Sequence, residues 1–310
     1  MIVATTLSAV KPNMISLRSM LYGVIASRSV HMFPLPHAAT ASMALAEVLS
    51  VLSRHPLVDG LVTVGSTGRG TLTEISDYDV LVVLAEMPVP LHVGMTYIDH
   101  RLTDLLFATT TQVQQIHTAE RPIDGDAWEG RIARWLVDGR VVFDRRGIIR
   151  QAQAKVSASD WIRPLADIDG YGAWIGVNYN LLHTRRLMQS NDPVHLYAAE
   201  LRMSMYGVNN VLLSYFRLRK LLWEGDKAAI RYLMAHDPAY FELLQQFLRE
   251  SDLYRKFAVY QRIAAATLAP RSTLWQGEST VLWNDLHPAS WETVAQGLEF
   301  WESLVNPDRP

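Results

Sequence analysis

The pattern of apolar and polar positions changes character near residue 156. Before that point the apolar runs are short and bounded by turn residues. After it, apolar positions recur at helical spacing over long stretches. Residues 38–54, rich in Ala, Leu and Val, predict a helix broken at His55-Pro56. Residues 57–64 predict a strand, and the run Val80-Leu81-Val82-Val83-Leu84 predicts a second, buried one. Residues 96–99 and 102–107 predict a hairpin turning about His100-Arg101. Residues 124–137 predict a helix with Trp128, Ile132, Trp135 and Leu136 on one side, then a turn at Asp138-Gly139 and a short strand at 141–143.

Helical patterns follow at 160–189, 193–223, 227–236, 238–250 and 253–268. Asp192-Pro193 and Asp237-Pro238 are start signals, because the acid can cap the helix and proline suits its first position. Residues 270–288 read as a long connection before an amphipathic helix at 289–305. These elements predict an α/β (α+β) protein in which an N-terminal domain with a small mixed sheet, residues 37–155, precedes a helical bundle, residues 156–310. Residues 1–36 stand apart: they hold no acidic residue, and their firm charges are Lys11, Arg18 and Arg28. They are expected to be a poorly ordered or mis-started extension.

Composition narrows the function. Of 310 residues, 49% are hydrophobic and 19% charged, and the formal net charge is −2. Such a balance exerts no broad pull on nucleic acid, so a small substrate is expected over a polymeric one. The chain has no cysteine, which excludes disulfides, thiolate catalysis and Cys-ligated zinc. That composition is compatible with a reducing cytosol, and a cytoplasmic location is expected. No apolar run approaches the roughly 18–20 residues of a membrane span, so no membrane partner is expected. The oligomeric state is left open.

The chemistry concentrates in residues 61–84, LVTVGSTGRGTLTEISDYDVLVVL. Side chains at i and i+2 of a strand share a face, so Asp77 and Asp79 should stand together while Tyr78 points away. Adjacent carboxylates suit Mg2+, which prefers oxygen ligands and commonly takes one or two protein carboxylates with phosphate oxygens. Upstream, Gly65-Ser66 closes the first strand in a polar loop, where Gly68 and Gly70 are expected to adopt positive φ and turn N–H groups toward an anion. Arg69 carries a planar fork fitted to phosphate oxygens. Asp104 is an acid in an otherwise apolar predicted strand, where an unpaired carboxylate is expensive unless a metal or cation meets it. Asp99, nearer the predicted turn, reads as a solvated turn residue.

This arrangement, Gly65-Ser66 followed after ten residues by Asp77-x-Asp79, resembles the signature of the DNA polymerase beta-like nucleotidyltransferase superfamily. The fuller string GSTGRG…SDYDV is most similar to bacterial small-molecule, aminoglycoside-type nucleotidyltransferases. The resemblance covers roughly residues 37–150. It implies that Gly65, Ser66, Arg69 and Ser76 serve the triphosphate of ATP or another nucleoside triphosphate. It also implies that Asp77, Asp79 and a third carboxylate, Asp104, hold Mg2+ at a site with room for two ions. The implied reaction moves a nucleoside monophosphate onto an acceptor hydroxyl, with the helical domain as the far wall of the acceptor pocket. Relatives that modify a protein or RNA partner, and a non-catalytic nucleotide-binding protein, are the alternatives. Neither a GxxxxGK[ST] loop nor a GxGxxG run is present, so phosphate is not held in those other ways.

The remaining polar signals have plainer readings. Arg231 and His236 match the spacing of a ribonuclease motif, but at a helix end they read as dipole or solvation partners. The histidines lack HExxH spacing. His100 and Arg101 read as exposed turn residues. Glu200 is one candidate among several for the acceptor side, which is left unassigned.

Overall fold

The computed structural model describes residues 40–158, 160–163, 165–277, 279–283 and 290–305. The extension predicted at residues 1–36 lies outside them. The N-terminal part begins with helix α1 (Leu45–Arg54) and strand β1 (Val58–Thr63). A single helical turn α2 (Gly65–Arg69) leads to strand β2 (Tyr78–Leu84). A hairpin of β3 (Val93–Ile98) and β4 (Arg101–Thr109) follows. Then come helices α3 (Thr110–Thr118) and α4 (Trp128–Val137), strand β5 (Arg140–Asp144) and helix α5 (Ile148–Ser157).

Among the described residues the five strands form one mixed sheet in the order β3-β4-β2-β1-β5. β2 and β4 run parallel, and the neighbouring pairs β1/β2, β1/β5 and β3/β4 are antiparallel. Because β1 and β2 lie centrally, both of their faces are covered. Leu61, Val80 and Val82 pack under Leu49 of α1, while Val62, Leu81 and Val83 pack under Val113, Ile116, Ile132, Leu136 and Ile149 of α3, α4 and α5. Burying each such side chain contributes about 1.5–3 kcal/mol. The result is a stiff centre with less covered ends.

One acid lies within that centre. Asp59, in β1, is 1% exposed. Its carboxylate accepts a hydrogen bond from Thr110 Oγ1 at 2.7 Å and meets Arg146 Nε at 3.0 Å and Arg145 Nε at 3.7 Å. Arg145 also donates to the carbonyls of Ser53, His55 and Val58. The Asp144-Arg145-Arg146 turn therefore ties β5 to β1 and α1.

The second part is helical, with helices α6 (Asp167–Met188), α7 (Pro193–Leu201), α8 (Val208–Leu218), α9 (Asp226–His236), α10 (Pro238–Arg249), α11 (Leu253–Leu268) and α12 (Trp291–Val305). The two Asp-Pro starts hold: Asp192 accepts from Val194 N–H and Asp237 from Tyr240 N–H. The core gathers Val177, Leu181, Val211, Leu233, Tyr260 and Leu268 about α6. Among the described residues no helix is long and apolar enough to cross a membrane.

Several predicted elements differ in extent or kind. The helix predicted from residue 38 starts at Leu45, because the chain before it is tied to the hairpin. Thr40 Oγ1 donates to the Tyr97 carbonyl, and the Ala41 and Met43 carbonyls accept from His100 and Asp99 N–H. The hairpin turns at Asp99-His100, both at positive φ, rather than at His100-Arg101. The predicted loop after β1 is the helical turn α2. Within it the glycines at positive φ are Gly65 and Gly70, not Gly68. Gly68 is needed for space: a Cβ there would stand 2.4 Å from the Thr63 carbonyl oxygen. The helix predicted at 160–189 begins at Asp167, after Ile162 has bridged to Ile123. The one predicted at 193–223 is interrupted by a π-helical turn, Arg202–Gly207, and ends at Leu218. Helices α3 and α5 were not anticipated.

Replacing the buried acid tests the lock on β1. Asp59→Ala should lower stability by about 1–2 kcal/mol, because the Thr110 hydroxyl loses its acceptor and two half-exposed guanidinium groups lose their partner. Urea unfolding followed by circular dichroism measures this, and a change below about 0.5 kcal/mol would remove Asp59 from that role.

Candidate active site

The sheet register brings the acids together. In the parallel β2/β4 pair Asp79 stands level with Asp104. Alternation along each strand puts both side chains on the face of Leu81 and Leu106, and Asp77, two residues before Asp79, falls on that side too. Adjacent strands are about 4.8 Å apart, so side chains at the same level must be neighbours. Asp77, Asp79 and Asp104 each offer a carboxylate oxygen, and these oxygens lie within 4.8 Å of one another. Among the described residues no other group of three acids, histidines or cysteines is as compact. The three side chains are half-buried, reachable yet partly shielded. Asp99, the weaker candidate for third carboxylate, sits in the exposed hairpin turn.

Local structure holds the cluster in place. The Val64 N–H donates to the Asp79 carbonyl at 3.0 Å. Thr67 Oγ1 in α2 accepts the Asp79 N–H at 3.2 Å and donates to the Asp77 carbonyl at 3.5 Å. Gly65 is required twice over, since its φ is +56° and a Cβ there would lie 2.5 Å from Asp79 Oδ2. On the other side, Arg101 Nη1 donates to the carbonyls of Thr73, at 2.7 Å, and Ser76, while its guanidinium lies 5.2 Å from the centre of the Tyr78 ring. Arg101 thereby clamps the loop that delivers Asp77, a role hidden in sequence by its position beside a turn.

Three like charges at this spacing disturb one another. Burial, then the charges of Asp77 and Asp104, push the Asp79 carboxyl up to about 6, against the opposing pull of Lys227 and Arg69. Asp104 is also raised, by burial and then by Asp77. Lys227 belongs to the first turn of α9, so the helical part already projects a positive field onto the cluster. Nothing in the sequence pattern marked Lys227, because its placement depends on how α9 packs. Such an oxygen-only cluster, with an ionised form made costly by its own neighbours, fits a hard divalent cation such as magnesium.

The remaining predicted residues fall around this cluster. Gly65 and Ser66 open α2, with Ser66 half-buried. Arg69 lies in the last turn of α2, half exposed, and pairs with Asp138 at 3.3 Å. Ser76 is buried, and its hydroxyl accepts the Thr73 N–H at 2.9 Å and bonds Thr73 Oγ1. That hydroxyl closes the loop from within, next to Asp77. Glu200 pairs with Lys256 inside the helical part. A cavity of about 350 Å³ between Tyr171, Trp174, Leu218 and Arg271 lies in the helical part, and none of the three carboxylates lines it.

Comparison with known proteins meets this geometry at the same residues. Residues 45–109, which span α1 to β4 and contain all three acids, match the nucleotidyltransferase domain family. No curated protein matches the chain. Among solved structures, a nucleotidyltransferase-like protein from Exiguobacterium sibiricum 255-15 aligns at 13% identity over 73% of each chain, with a TM-score of 0.43. The N-terminal part therefore carries a nucleotidyltransferase domain, and the chain is an enzyme of that transferase class.

Two outcomes follow from the geometry. Since Asp79 must be ionised to hold a cation, a proton competes with the metal below about pH 6. Apparent affinity for a divalent ion should be about tenfold weaker at pH 5 than at pH 7, measured by calorimetric titration. The metal-free fold should move the other way. A carboxyl raised above its unfolded value binds its proton more tightly when folded, so stability rises as pH falls from 7 toward 4. Removing the clamp by Arg101→Ala should weaken divalent-ion binding about tenfold while the circular dichroism spectrum is preserved, with Arg101→Lys in between. Unchanged affinity in Arg101→Ala would show that the Asp77 loop needs no clamp.

Proposed function

We propose that the chain transfers a nucleoside monophosphate, AMP from ATP, to a hydroxyl of a small-molecule acceptor and releases pyrophosphate. The observation that carries this reading is the convergence of Asp77, Asp79 and Asp104 beside the Gly65–Arg69 turn within the matched domain. Magnesium, as one or two ions held by Asp77 and Asp79 with Asp104 completing the set, would supply charge neutralisation on the triphosphate.

The protein's own groups divide the remaining work. Ser66 and the first N–H groups of α2, which have no acceptor within the helix, face the phosphate side. Arg69 adds a fork whose resting partner, Asp138, is itself about half exposed and easily exchanged. Lys227 brings a further positive charge from α9 to the same place. Asp104, its carboxyl raised by burial, is suited to take the proton of the attacking hydroxyl. The hydroxyl oxygen bonds to the α-phosphorus as the bond to the pyrophosphate oxygen breaks, with no covalent protein intermediate. Positioning and electrostatics supply the acceleration.

Labelled ATP, Mg2+ and a panel of hydroxylated compounds, aminoglycosides among them, with tRNA and proteins as comparison acceptors, test this directly. The expected result is pyrophosphate release coupled to label on a small compound. Asp79→Asn, nearly isosteric, should reduce the rate at least about a thousandfold, roughly 4 kcal/mol of transition-state stabilisation, with the fold intact. Full activity in that variant refutes the metal assignment, and label on RNA or protein refutes the small acceptor.

A further inference from the structure

The hairpin face beside Asp104 has an unusual composition. In the antiparallel β3/β4 pair, Val93 stands opposite Leu106, Met95 opposite Asp104 and Tyr97 opposite Leu102. Paired residues share a face, so Val93, Met95, Tyr97 and Leu102 lie on the same side of the sheet as the carboxylates. They are 55%, 76%, 51% and 43% exposed. Edge strands are ordinarily blunted by charge, yet β3, VGMTYI, carries none. At its start the exposed His92 ring stacks on Trp128 of α4 with centroids 4.6 Å apart.

Location gives this strip an occupant. The strand order places β3 and β4 on one side of Asp79 and β1 on the other. α2, the phosphate-facing turn, follows β1 and so lies on the β1 side. In phosphoryl transfer the attacking and leaving oxygens are roughly in line. With pyrophosphate leaving toward α2, the acceptor hydroxyl must arrive over Asp104, with the rest of the acceptor lying along β3. On that face of β3 and β4 Asp104 is the charged side chain, so a polycationic acceptor would find no further carboxylate there for its ammonium groups.

We infer that Val93, Met95, Tyr97 and the Trp128 ring form the acceptor subsite, and that the acceptor is a largely uncharged compound carrying its hydroxyl on an apolar ring system. This rests on the nucleotidyl-transfer reading of the same site and sets its substrate class. Met95, level with the carboxylate, is the side chain against which the carbon bearing the hydroxyl would pack.

The test uses the full chain with Mg2+ and a nonhydrolysable ATP analogue. Hydrocortisone and chloramphenicol serve as uncharged, apolar-bodied alcohols and kanamycin as the polycation, with binding followed by calorimetry and tryptophan fluorescence. At least one uncharged probe should bind more tightly than kanamycin, and Met95→Ser should weaken it about tenfold. Val142→Ser, which removes another exposed apolar side chain, from β5 at the opposite edge, should leave that affinity unchanged. Tighter binding of kanamycin, binding of none of the probes, or equal loss in both variants overturns the apolar subsite. Failure of the wild type to bind the analogue overturns the nucleotidyl-transfer reading instead, and that is measured before any probe is added.

Discussion

Everything at the site depends on one register: Asp79 of β2 level with Asp104 of β4 in the sheet's parallel pair. Slipping that pair by one residue would send one acid to the opposite face, where Tyr78 and Val80 pack against α1 and its neighbours. The register is secure because Leu81, Val83, Leu106 and Ala108, next along the same face, are locked beneath α3, α4 and α5. Hydrophobic packing thus pushes like charges together at the uncovered strand ends. The strain that results is visible in the raised Asp79 and Asp104 carboxyls, and a cation bound there would relieve it.

The surroundings read as answers to that strain. Thr67 ties the α2 turn to the backbone of Asp77 and Asp79, and Gly65 lets that turn approach the Asp79 side chain closely. Arg101 commits its guanidinium to carbonyls of the Thr73–Ser76 loop and so fixes the segment that leads into Asp77. Lys227 reaches the same field from α9. Arg134 of α4 donates to the Trp223 carbonyl at 2.9 Å, and Arg217 of α8 pairs with Asp126 just before α4. These contacts join the helical part to the sheet part through α4 and the residues just before it.

Much of this was legible in the chain. The apolar run 80–84 announced a buried strand, and its period-two alternation put Asp77 and Asp79 on one side. Asp104 was found because a lone acid in an apolar strand demands a partner. Less accessible was anything that depends on packing over distance. Gly68 was credited with an unusual φ, although its real constraint is the Thr63 carbonyl against it. The bonds from the Ser76 hydroxyl to Thr73 likewise had no sequence signal. Helix α3 does carry a signal in the chain, the Thr109/Gln112 capping box. Arg101 and Lys227 carried none, since their roles arise only when the hairpin and α9 meet the β2 loop.

The sheet also explains why the acid cluster and the exposed apolar strip sit on different strands. β1 and β2 are buried on both faces, so their side chains have little freedom, and groups attached to their ends inherit that rigidity. This suits acids that must hold an ion to within a fraction of an ångström. β3 packs only one face, through Ile98 and its neighbours, and leaves the other exposed. Changes at Val93, Met95 or Tyr97 would alter what rests on the sheet without disturbing the core or the β2/β4 register. In the reading proposed above, a fold arranged this way keeps the reaction constant at its centre and leaves the choice of acceptor to its edge.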